Sequence, residues 1–418
     1  MLSKRQFLKS LFFSAALPLK IRRERLLKKL PPSWTTEAFD AYWLKIRSDY
    51  KLKTEYINLE NGYFNMMSQP VMDAYFNDMR KVNLEASCYM RTVQFENKQK
   101  TKERLATLFG CSPNELIITR NTTESLDTII SGLNWNPGEE AIMAEQDYGS
   151  MLDMFKQNAK KYQIVNKIVS IPLNPKSDEE IVELYEKAIT SRTRLLMICH
   201  MINSTGHILP VKKICDMAHE KGVEVMIDGA HAVAQFDFKI SDLNCDYYGS
   251  SLHKWLGAPL GAGILYVNKD KIKNIWPLYG ELGFGENDIK KLNHTGTHPV
   301  ATDLAINHAI DYHNAIGIKR KEERLGYLQS YWTTKVRKIK NIIINTPAEL
   351  KRSCAIANVG IKGIRPSELA NILLKKYKIW TVAIDNANVQ GVRITPSIYT
   401  TIDELDKLIA ALKEIAAR

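Results

Sequence analysis

Short apolar runs alternate with helical patterns between about residues 100 and 270, and this alternation limits the possible folds more than any other feature of the sequence. Each run has the length of a strand, and stretches of helical periodicity lie between the runs. The apolar runs are Leu116–Ile118, Ala141–Met143, Leu195–Ile198 and Val223–Ile227. Nearly continuous apolar strands are typical of a parallel sheet covered by helices on both faces. We therefore predict an α/β fold whose ligand-binding residues follow the strands, at their carboxyl ends.

The length of 418 residues allows two or three domains. With 45% hydrophobic and 25% charged residues, the composition is that of a globular protein and excludes an intrinsically disordered chain. The predicted segments are a signal-like stretch (1–30), an N-terminal contribution to a small domain (31–75), a large domain (76–300) and a C-terminal small α+β domain (301–418). Within the last segment we expect one long helical stretch over 301–340, a strand around Trp380–Ile384 and a last helix from Ile402 to Ala416.

The formal net charge of +12 could indicate a nucleic-acid-binding protein, but its location argues against one. Residues 1–30 carry nine basic residues and one acidic residue, which leaves a charge of only +4 on residues 31–418. No basic stripe for a phosphate backbone is therefore predicted. The chain also lacks the GxxxxGK[ST] motif of P-loop proteins and the HExxH motif of zinc hydrolases. No run of about 18 apolar residues is present, so we expect no stable transmembrane anchor.

The N-terminal segment has the layout of an export signal. Lys4-Arg5 precedes a short apolar stretch from Leu11 to Leu19, as in secretory signals. It resembles a twin-arginine signal with Lys-Arg in place of Arg-Arg, which predicts an exported, periplasmic or envelope protein. The alternatives are an amphipathic helix or membrane-surface anchor, and a cytoplasmic location.

Three sequence elements carry candidate chemistry. Lys254 lies in a polar stretch after the β-like Tyr247-Tyr248, Asp228 ends an apolar run, and hydroxyl residues at Thr122-Thr123 open a helix after another run. Each has an ordinary structural alternative: a surface lysine, a turn-capping aspartate and a plain helix cap. Taken together, an amine, a carboxylate and a helix N-terminus suited to phosphate are what pyridoxal phosphate (PLP) requires of a protein. The sequence therefore predicts PLP as the cofactor.

The motifs Asp228-Gly229-Ala230-His231 and Ser251-Leu252-His253-Lys254 resemble those of class-V, fold-type I PLP enzymes. This family includes cysteine desulfurases, selenocysteine lyases and isopenicillin N epimerase-like proteins. The resemblance spans about residues 55–415. It implies a mostly parallel seven-stranded sheet in the large domain, and a homodimer whose active sites are shared.

The resemblance also implies roles for individual residues. Lys254 would form the Schiff base with PLP and shuttle the proton, while Asp228 would pair with the ring nitrogen. Arg393 would hold the substrate carboxylate, a task suited to a planar bidentate fork. The remaining cofactor-binding residues would be His231 and Asn203 near the phenolic oxygen, Thr122, Thr123, Ser251 and His253 at the phosphate, and Thr297 at the phosphate bound by the partner subunit.

Tyr148 lies where many relatives stack a histidine on the cofactor ring. Its aromatic ring can stack in the same way, and its hydroxyl could also relay a proton; simple packing beneath the cofactor is the alternative. We expect the pocket to be shaped by Tyr63-Phe64-Asn65 and by the loop 385–390.

The reaction class is open at this point. Cysteine desulfurases need a mobile cysteine before the carboxylate-binding arginine, and residues 377–393 contain none. Free, mostly buried thiols are expected for the six cysteines. A small amino acid is the expected substrate, and Lys254 would remove its Cα proton. The chain is most similar to isopenicillin N epimerase-like proteins, and epimerisation is one of the reactions left open. Transamination and β-elimination without a cysteine relay are the alternatives, and a cofactor-free relative with no activity is the non-enzymatic one.

Overall fold

The computed structural model describes residues 36–417. The signal-like segment 1–30 lies outside these residues. Within the described part of the chain, no helix combines the length and the apolar character needed to cross a bilayer.

The strands and helices alternate in the first two thirds of the chain. In chain order the strands are β1 (Ile57–Asn58), β2 (Leu116–Thr119), β3 (Glu140–Ala144), β4 (Val165–Val169), β5 (Thr193–Cys199), β6 (Glu224–Asp228), β7 (Tyr247–Ser251), β8 (Gly263–Val267), β9 (Ile342–Ile344), β10 (Ala357–Ile361), β11 (Ile379–Trp380), β12 (Val382–Asn386) and β13 (Val389–Ile394). The helices are α1 (Thr36–Arg47), α2 (Gln69–Thr92), α3 (Gln94–Phe109), α4 (Thr122–Gly132), α5 (Gly149–Tyr162), α6 (Asp178–Ala188), α7 (Val211–Glu220), α8 (Val300–Ile316), α9 (Ile318–Val336), α10 (Pro366–Tyr377) and α11 (Ile402–Ala416).

A seven-stranded sheet forms the centre of the molecule, with strand order β2-β8-β7-β6-β5-β3-β4. Strands β7, β6, β5, β3 and β4 are parallel to one another, and β8 is antiparallel to both β2 and β7. Strands β3 and β6 are buried along their whole length, as their apolar sequences require. The predicted α/β fold with a mostly parallel seven-stranded sheet is confirmed.

The register of this sheet places polar strand ends at one edge. Cys199 at the end of β5 lies beside Asp228 at the end of β6, and Asp228 lies beside Gly249 on β7. Because β8 runs antiparallel to both β2 and β7, the end of β2 at Thr119 also faces this edge. The residues that follow β2, β5, β6 and β7 therefore converge, as expected for a parallel sheet.

A smaller antiparallel sheet has the order β12-β13-β10-β9, and β1 pairs in parallel with β11. Its core combines Leu59 from the N-terminal part of the chain with Trp332 on α9 and Leu412 on α11, all fully buried. Ile306 on α8, in contrast, packs into the core of the large sheet. The domain boundaries at residues 75 and 300 stay predictions.

Two details of the C-terminal region differ from the sequence expectation. The helical stretch 301–340 is two helices, because Gly317 between α8 and α9 has φ +88°, which is incompatible with a continuing right-handed helix. The strand expected around Trp380–Ile384 is also two strands. β11 pairs with β1, whereas β12 pairs with β13 in the other sheet.

The cysteines are free thiols, as predicted. Four of them are buried, Cys111 is half-buried and Cys88 is exposed.

Candidate active site

A cavity of about 290 Å³ opens at the carboxyl edge of the large sheet. Its volume is near the roughly 300 Å³ at which ligand pockets begin. Ten of the eleven predicted site residues line it: Thr122, Thr123, Tyr148, Asn203, Asp228, His231, Ser251, His253, Lys254 and Arg393. The eleventh, Thr297, lies elsewhere.

Lys254 follows β7 and places its amine in this cavity beside His231. The Nζ atom lies 3.1 Å from His231 Nε2. Burial lowers the pKa of the Lys254 amine to about 8; the nearby Asp228 carboxylate opposes this shift, and the Arg393 charge adds to it. A substantial fraction of the amine is therefore neutral near physiological pH, which is the form that can accept a proton.

The protonation state of His231 follows from its surroundings. Burial and the neighbouring Lys254 charge hold the pKa of His231 well below its usual range, so the ring is neutral. Trp255 Nε1 donates to His231 Nδ1 at 3.4 Å, and an indole N–H can only donate. The neutral ring therefore carries its proton on Nε2, the nitrogen that faces Lys254 and the cavity.

Asp228 ends β6 with its carboxylate buried. Its Oδ1 accepts a hydrogen bond from the backbone N–H of Ala230 at 2.9 Å. Burial raises the pKa of Asp228, while Lys254 and the Ala230 N–H lower it. A cationic ligand group would favour the ionised carboxylate, because a buried charge is costly without a partner.

The N-terminus of α4 forms one end of the cavity. Asn121 caps the helix by accepting from the N–H of Glu124 at 2.9 Å. Ser251 Oγ accepts from the N–H of Thr122 at 2.9 Å and lies 2.7 Å from its hydroxyl. Among the described residues, His253 Nδ1 is a buried polar atom without a hydrogen-bond partner. Helix N–H groups, hydroxyls and an unpaired imidazole nitrogen make this end suitable for an anion.

Tyr148 and Cys199 lie on the side of the cavity near β3 and β5. Tyr148 occupies the N-cap position of α5 and is 40% exposed, and its side chain makes no capping hydrogen bond to the helix. Asp147 next to it accepts from the N–H of Ala144 at 2.7 Å, and burial raises the pKa of Asp147 to about 7. Burial also raises the pKa of the Cys199 thiol well above its usual value, and the carboxylates of Asp147 and Asp228 add to the shift. Cys199 is therefore a thiol rather than a thiolate.

Arg393 near the end of β13 forms the opposite wall. Its Nη2 and Nε atoms donate to the two carboxylate oxygens of Glu60 at 2.6 and 3.1 Å. Its Nη1 atom donates to the backbone carbonyl of Asn203 at 3.2 Å. The side chains of Arg393 and Glu60 are each 7% exposed.

The structure differs from the sequence expectation at the margins of the site. Tyr63 lines the cavity as expected, but Phe64, Asn65 and the loop 385–390 do not. This loop is the β12–β13 hairpin, and Asn388 in it accepts a hydrogen bond from Gln146 at 2.9 Å. Thr297 lines a separate cavity of about 800 Å³. Sequence reasoning missed Glu60 and Cys199. Only the proximity of Glu60 to Tyr63 could have drawn attention to it.

The donor set of the cavity fits PLP. The N-terminus of α4 with Ser251 suits a phosphate, the Lys254 amine suits an aldehyde, and the buried Asp228 suits a protonated ring nitrogen. The Nε2 proton of His231 suits a phenolic oxygen. These groups face one cavity, so a single molecule can meet all of them.

Comparison with known proteins points the same way. The family model for class-V aminotransferases matches residues 66–408. Isopenicillin N epimerase from Amycolatopsis lactamdurans is 28% identical over 399 residues, covering 90% of this chain and 98% of that protein. Cysteine desulfurase from Haloferax volcanii is 26% identical over 333 residues, covering 74% and 77%.

Solved structures share the fold. Cysteine desulfurase from Thermococcus onnurineus superimposes with a TM-score of 0.79 at 20% identity, covering 93% of this chain and 100% of that one. A variant of C-DES that holds glycine linked covalently to its PLP cofactor gives a TM-score of 0.79 at 18% identity, covering 86% and 97%. Because the family model spans most of the sequence, the chain belongs to the class-V aminotransferase family and is one of its enzymes.

Proposed function

We propose that this enzyme moves the proton on Cα of a small amino acid and that epimerisation is its net reaction. PLP is its cofactor; when bound, it draws electrons from the substrate and so acidifies the Cα–H bond. The chain's own residues then bind the two ends of the substrate and hold the proton.

One observation carries the proposal: Lys254 and Arg393 line the same cavity, with Asp228 and His231 beside the lysine. An amino acid has an amine and a carboxylate on one carbon, so a base and a guanidinium in one cavity can act on the Cα between them. The lowered pKa of Lys254, about 8, suits an amine that must accept a proton near neutral pH.

His231 supports the proton transfer from beside the lysine. With Nδ1 occupied by Trp255, the proton on Nε2 can be donated to the neutral form of the Lys254 amine, because an ammonium group has no acceptor. A neutral imidazole adds no charge that would compete with Lys254. In this arrangement His231 positions the lysine and the cofactor and does not itself titrate.

Epimerisation is favoured over the alternatives by two observations. Tyr148 lines the cavity with a partly exposed side chain, so its hydroxyl can supply the second proton that inversion requires. Desulfuration through a cysteine is disfavoured, because Cys354 is buried with its thiol against the Gln235 carbonyl. Cys199, the thiol at the cavity, is held in its poorly nucleophilic protonated form. The relative at 28% identity is an isopenicillin N epimerase, but no β-lactam substrate is inferred from that name.

We also propose a homodimer with shared sites. Thr297 is exposed in the single chain and lies away from the Lys254 cavity, so its predicted phosphate contact requires a second subunit. Dilution below the dimer dissociation constant should then release PLP. A stable monomer with full cofactor content and activity would contradict the shared site.

The test of the reaction is isotope exchange at Cα. The PLP-loaded protein is incubated in D₂O with a panel of L- and D-amino acids, and the Cα proton is followed by NMR. We expect exchange with at least one amino acid, and loss of exchange in Lys254→Ala. Lys156→Ala on α5, an exposed lysine paired with Asp153, is the matched control and should exchange like wild type.

The product then identifies the reaction class. Chiral chromatography should show the opposite enantiomer, which is the proposed outcome. A keto acid would indicate transamination, and pyruvate or sulfide would indicate β-elimination. Exchange by Lys254→Ala at the wild-type rate would overturn the role of the lysine and with it the proposal.

A further inference from the structure

The glutamate that faces Arg393 changes what this wall of the cavity can bind. Glu60 uses both carboxylate oxygens on the guanidinium, and both side chains are almost fully buried. Arg393 has five N–H groups, and three of them are taken by Glu60 and by the Asn203 carbonyl. Within the described residues, two N–H groups, one on each Nη atom, are left for a ligand.

The backbone holds this pair together as one unit. The N–H groups of Asn61 and Gly62 both donate to Thr395 Oγ1, at 2.7 and 3.1 Å, and Thr395 lies two residues after Arg393. A Cβ on Gly62 would lie 3.3 Å from Arg393 Cζ, so the chain passes close beside the guanidinium. Glu60 therefore remains next to Arg393 unless its side chain alone rotates away.

The second guanidinium at the cavity is paired in the same way. Arg120 donates to both carboxylate oxygens of Glu124 through Nε and Nη2, at 3.0 and 3.2 Å. Both arginines that line the cavity thus have a glutamate partner. A carboxylate that enters this cavity meets a neutralised guanidinium, and its attraction is reduced by the negative charge behind it.

We propose that Glu60 is a specificity-determining residue that weakens carboxylate binding at Arg393, so that carboxylates without an amine are rejected. A ligand held only by its carboxylate must bind against the Glu60 charge or displace it. An amino acid is also held through its amine at the Lys254 end, so it tolerates the weaker contact. The inference rests on the proposed function, because Arg393 is there the contact for the substrate carboxylate.

The test uses propionate, which has a carboxylate and no amine, and the PLP-loaded protein in a buffer free of carboxylates and phosphate. Calorimetric titration compares wild type with Glu60→Gln, which removes the charge but keeps the side-chain length. We expect a Kd for propionate about tenfold lower in Glu60→Gln, which corresponds to about 1.4 kcal/mol. An equal or higher Kd would overturn the inference, because Glu60 would then only position the arginine.

Controls separate this inference from the proposed function. Glu186→Gln removes one charge from a surface pair with Lys221 and should leave the Kd unchanged. Arg393→Gln should abolish saturable binding; if it bound propionate like wild type, the proposed carboxylate contact itself would fail.

Glu60→Asp gives a second test that does not depend on the folding of the glutamine variant. It keeps the charge, but the shorter side chain cannot keep both bonds to Arg393. Its Kd for propionate should lie between those of wild type and Glu60→Gln. If Glu60→Asp gains about half of the binding free energy that Glu60→Gln gains, its Kd should be about threefold below wild type. A Kd at or above the wild-type value would overturn the inference.

Discussion

Gly229 lies between Asp228 and the turn that carries His231, and replacing it with alanine should damage both stability and the site. A Cβ on Gly229 would lie 2.0 Å from Cζ and 2.1 Å from Cε1 of Tyr248. Ordinary contact begins near 3.4 Å, so the two residues must separate by about 1.4 Å. Tyr248 cannot easily move away, because its side chain is fully buried and its hydroxyl oxygen lies 3.1 Å from His200 Nδ1.

The expected losses of stability and of Cα exchange follow from this overlap. One extra methyl group in a packed core usually costs about 1–3 kcal/mol, and the required shift places Gly229→Ala at the upper end, about 3 kcal/mol. A displacement of Asp228 by about 1 Å would also reduce the rate of Cα exchange roughly a hundredfold. Urea unfolding at a fixed excess of PLP measures the first effect, and NMR exchange measures the second.

A matched glycine and a second substitution make this prediction refutable. Gly326 lies inside α9, and a Cβ added to it would meet no atom within 4 Å, so Gly326→Ala should be neutral or stabilising by up to about 1 kcal/mol. In the Tyr248→Ala variant the ring that would overlap the new Cβ is absent. Adding Gly229→Ala to that variant should therefore lower the free energy of unfolding by less than about 1 kcal/mol. An equal loss in both backgrounds would refute the steric explanation.

Three further predictions concern the cavity. The rate of PLP incorporation into the apoprotein should rise with pH up to about 8 and then level off, because the pKa of Lys254 is lowered to about 8 and only the neutral amine reacts; a rise continuing to pH 10 would contradict this. Asn121→Ala removes the cap on Glu124 and should cost about 1 kcal/mol in urea unfolding, whereas Asn121→Asp should keep the cap yet weaken PLP binding in an equilibrium titration. Tyr148→Phe should retain Cα exchange but lose epimerisation about a hundredfold by chiral chromatography; unchanged epimerisation would assign Tyr148 to packing alone.

Local sequence signals were sufficient for most of the fold. The helix predicted from Ile402 to Ala416 has those bounds in the structure, because Thr401 and Glu404 form a capping box at its start. The Asp228 and Lys254 motifs could be placed at one sheet edge because each follows a strand, and parallel strands bring their carboxyl ends together. These inferences needed only hydrophobic periodicity and the alternation of strands and helices, whereas the number of strands in the large sheet was implied by the family resemblance.

The features that could not be predicted depend on tertiary contacts. A single Gly317 inside an otherwise helical pattern does not reveal that its φ is positive and the helix is broken. Nothing in the sequence near Trp380 shows that the chain changes from one sheet to another. The Glu60–Arg393 pair joins residues 333 positions apart, and neither residue belongs to a pattern that names the other.

The two ends of the proposed substrate site are therefore built on different scaffolds. Asp228 ends β6 and Lys254 follows β7 of the large sheet, so short motifs identify them. Arg393 is placed by β13 of the small sheet, and Glu60 is fixed beside it through Thr395. Glu60 bonds to Arg393 and not to the Lys254–His231 pair. Changing Glu60 therefore acts directly on the arginine end of the cavity, and it reaches the Lys254 amine only through the charge effect by which Glu60 raises that pKa. Motifs that identify the family thus locate the lysine end of the cavity, whereas the selectivity that we propose for the arginine end depends on a pairing visible only in three dimensions.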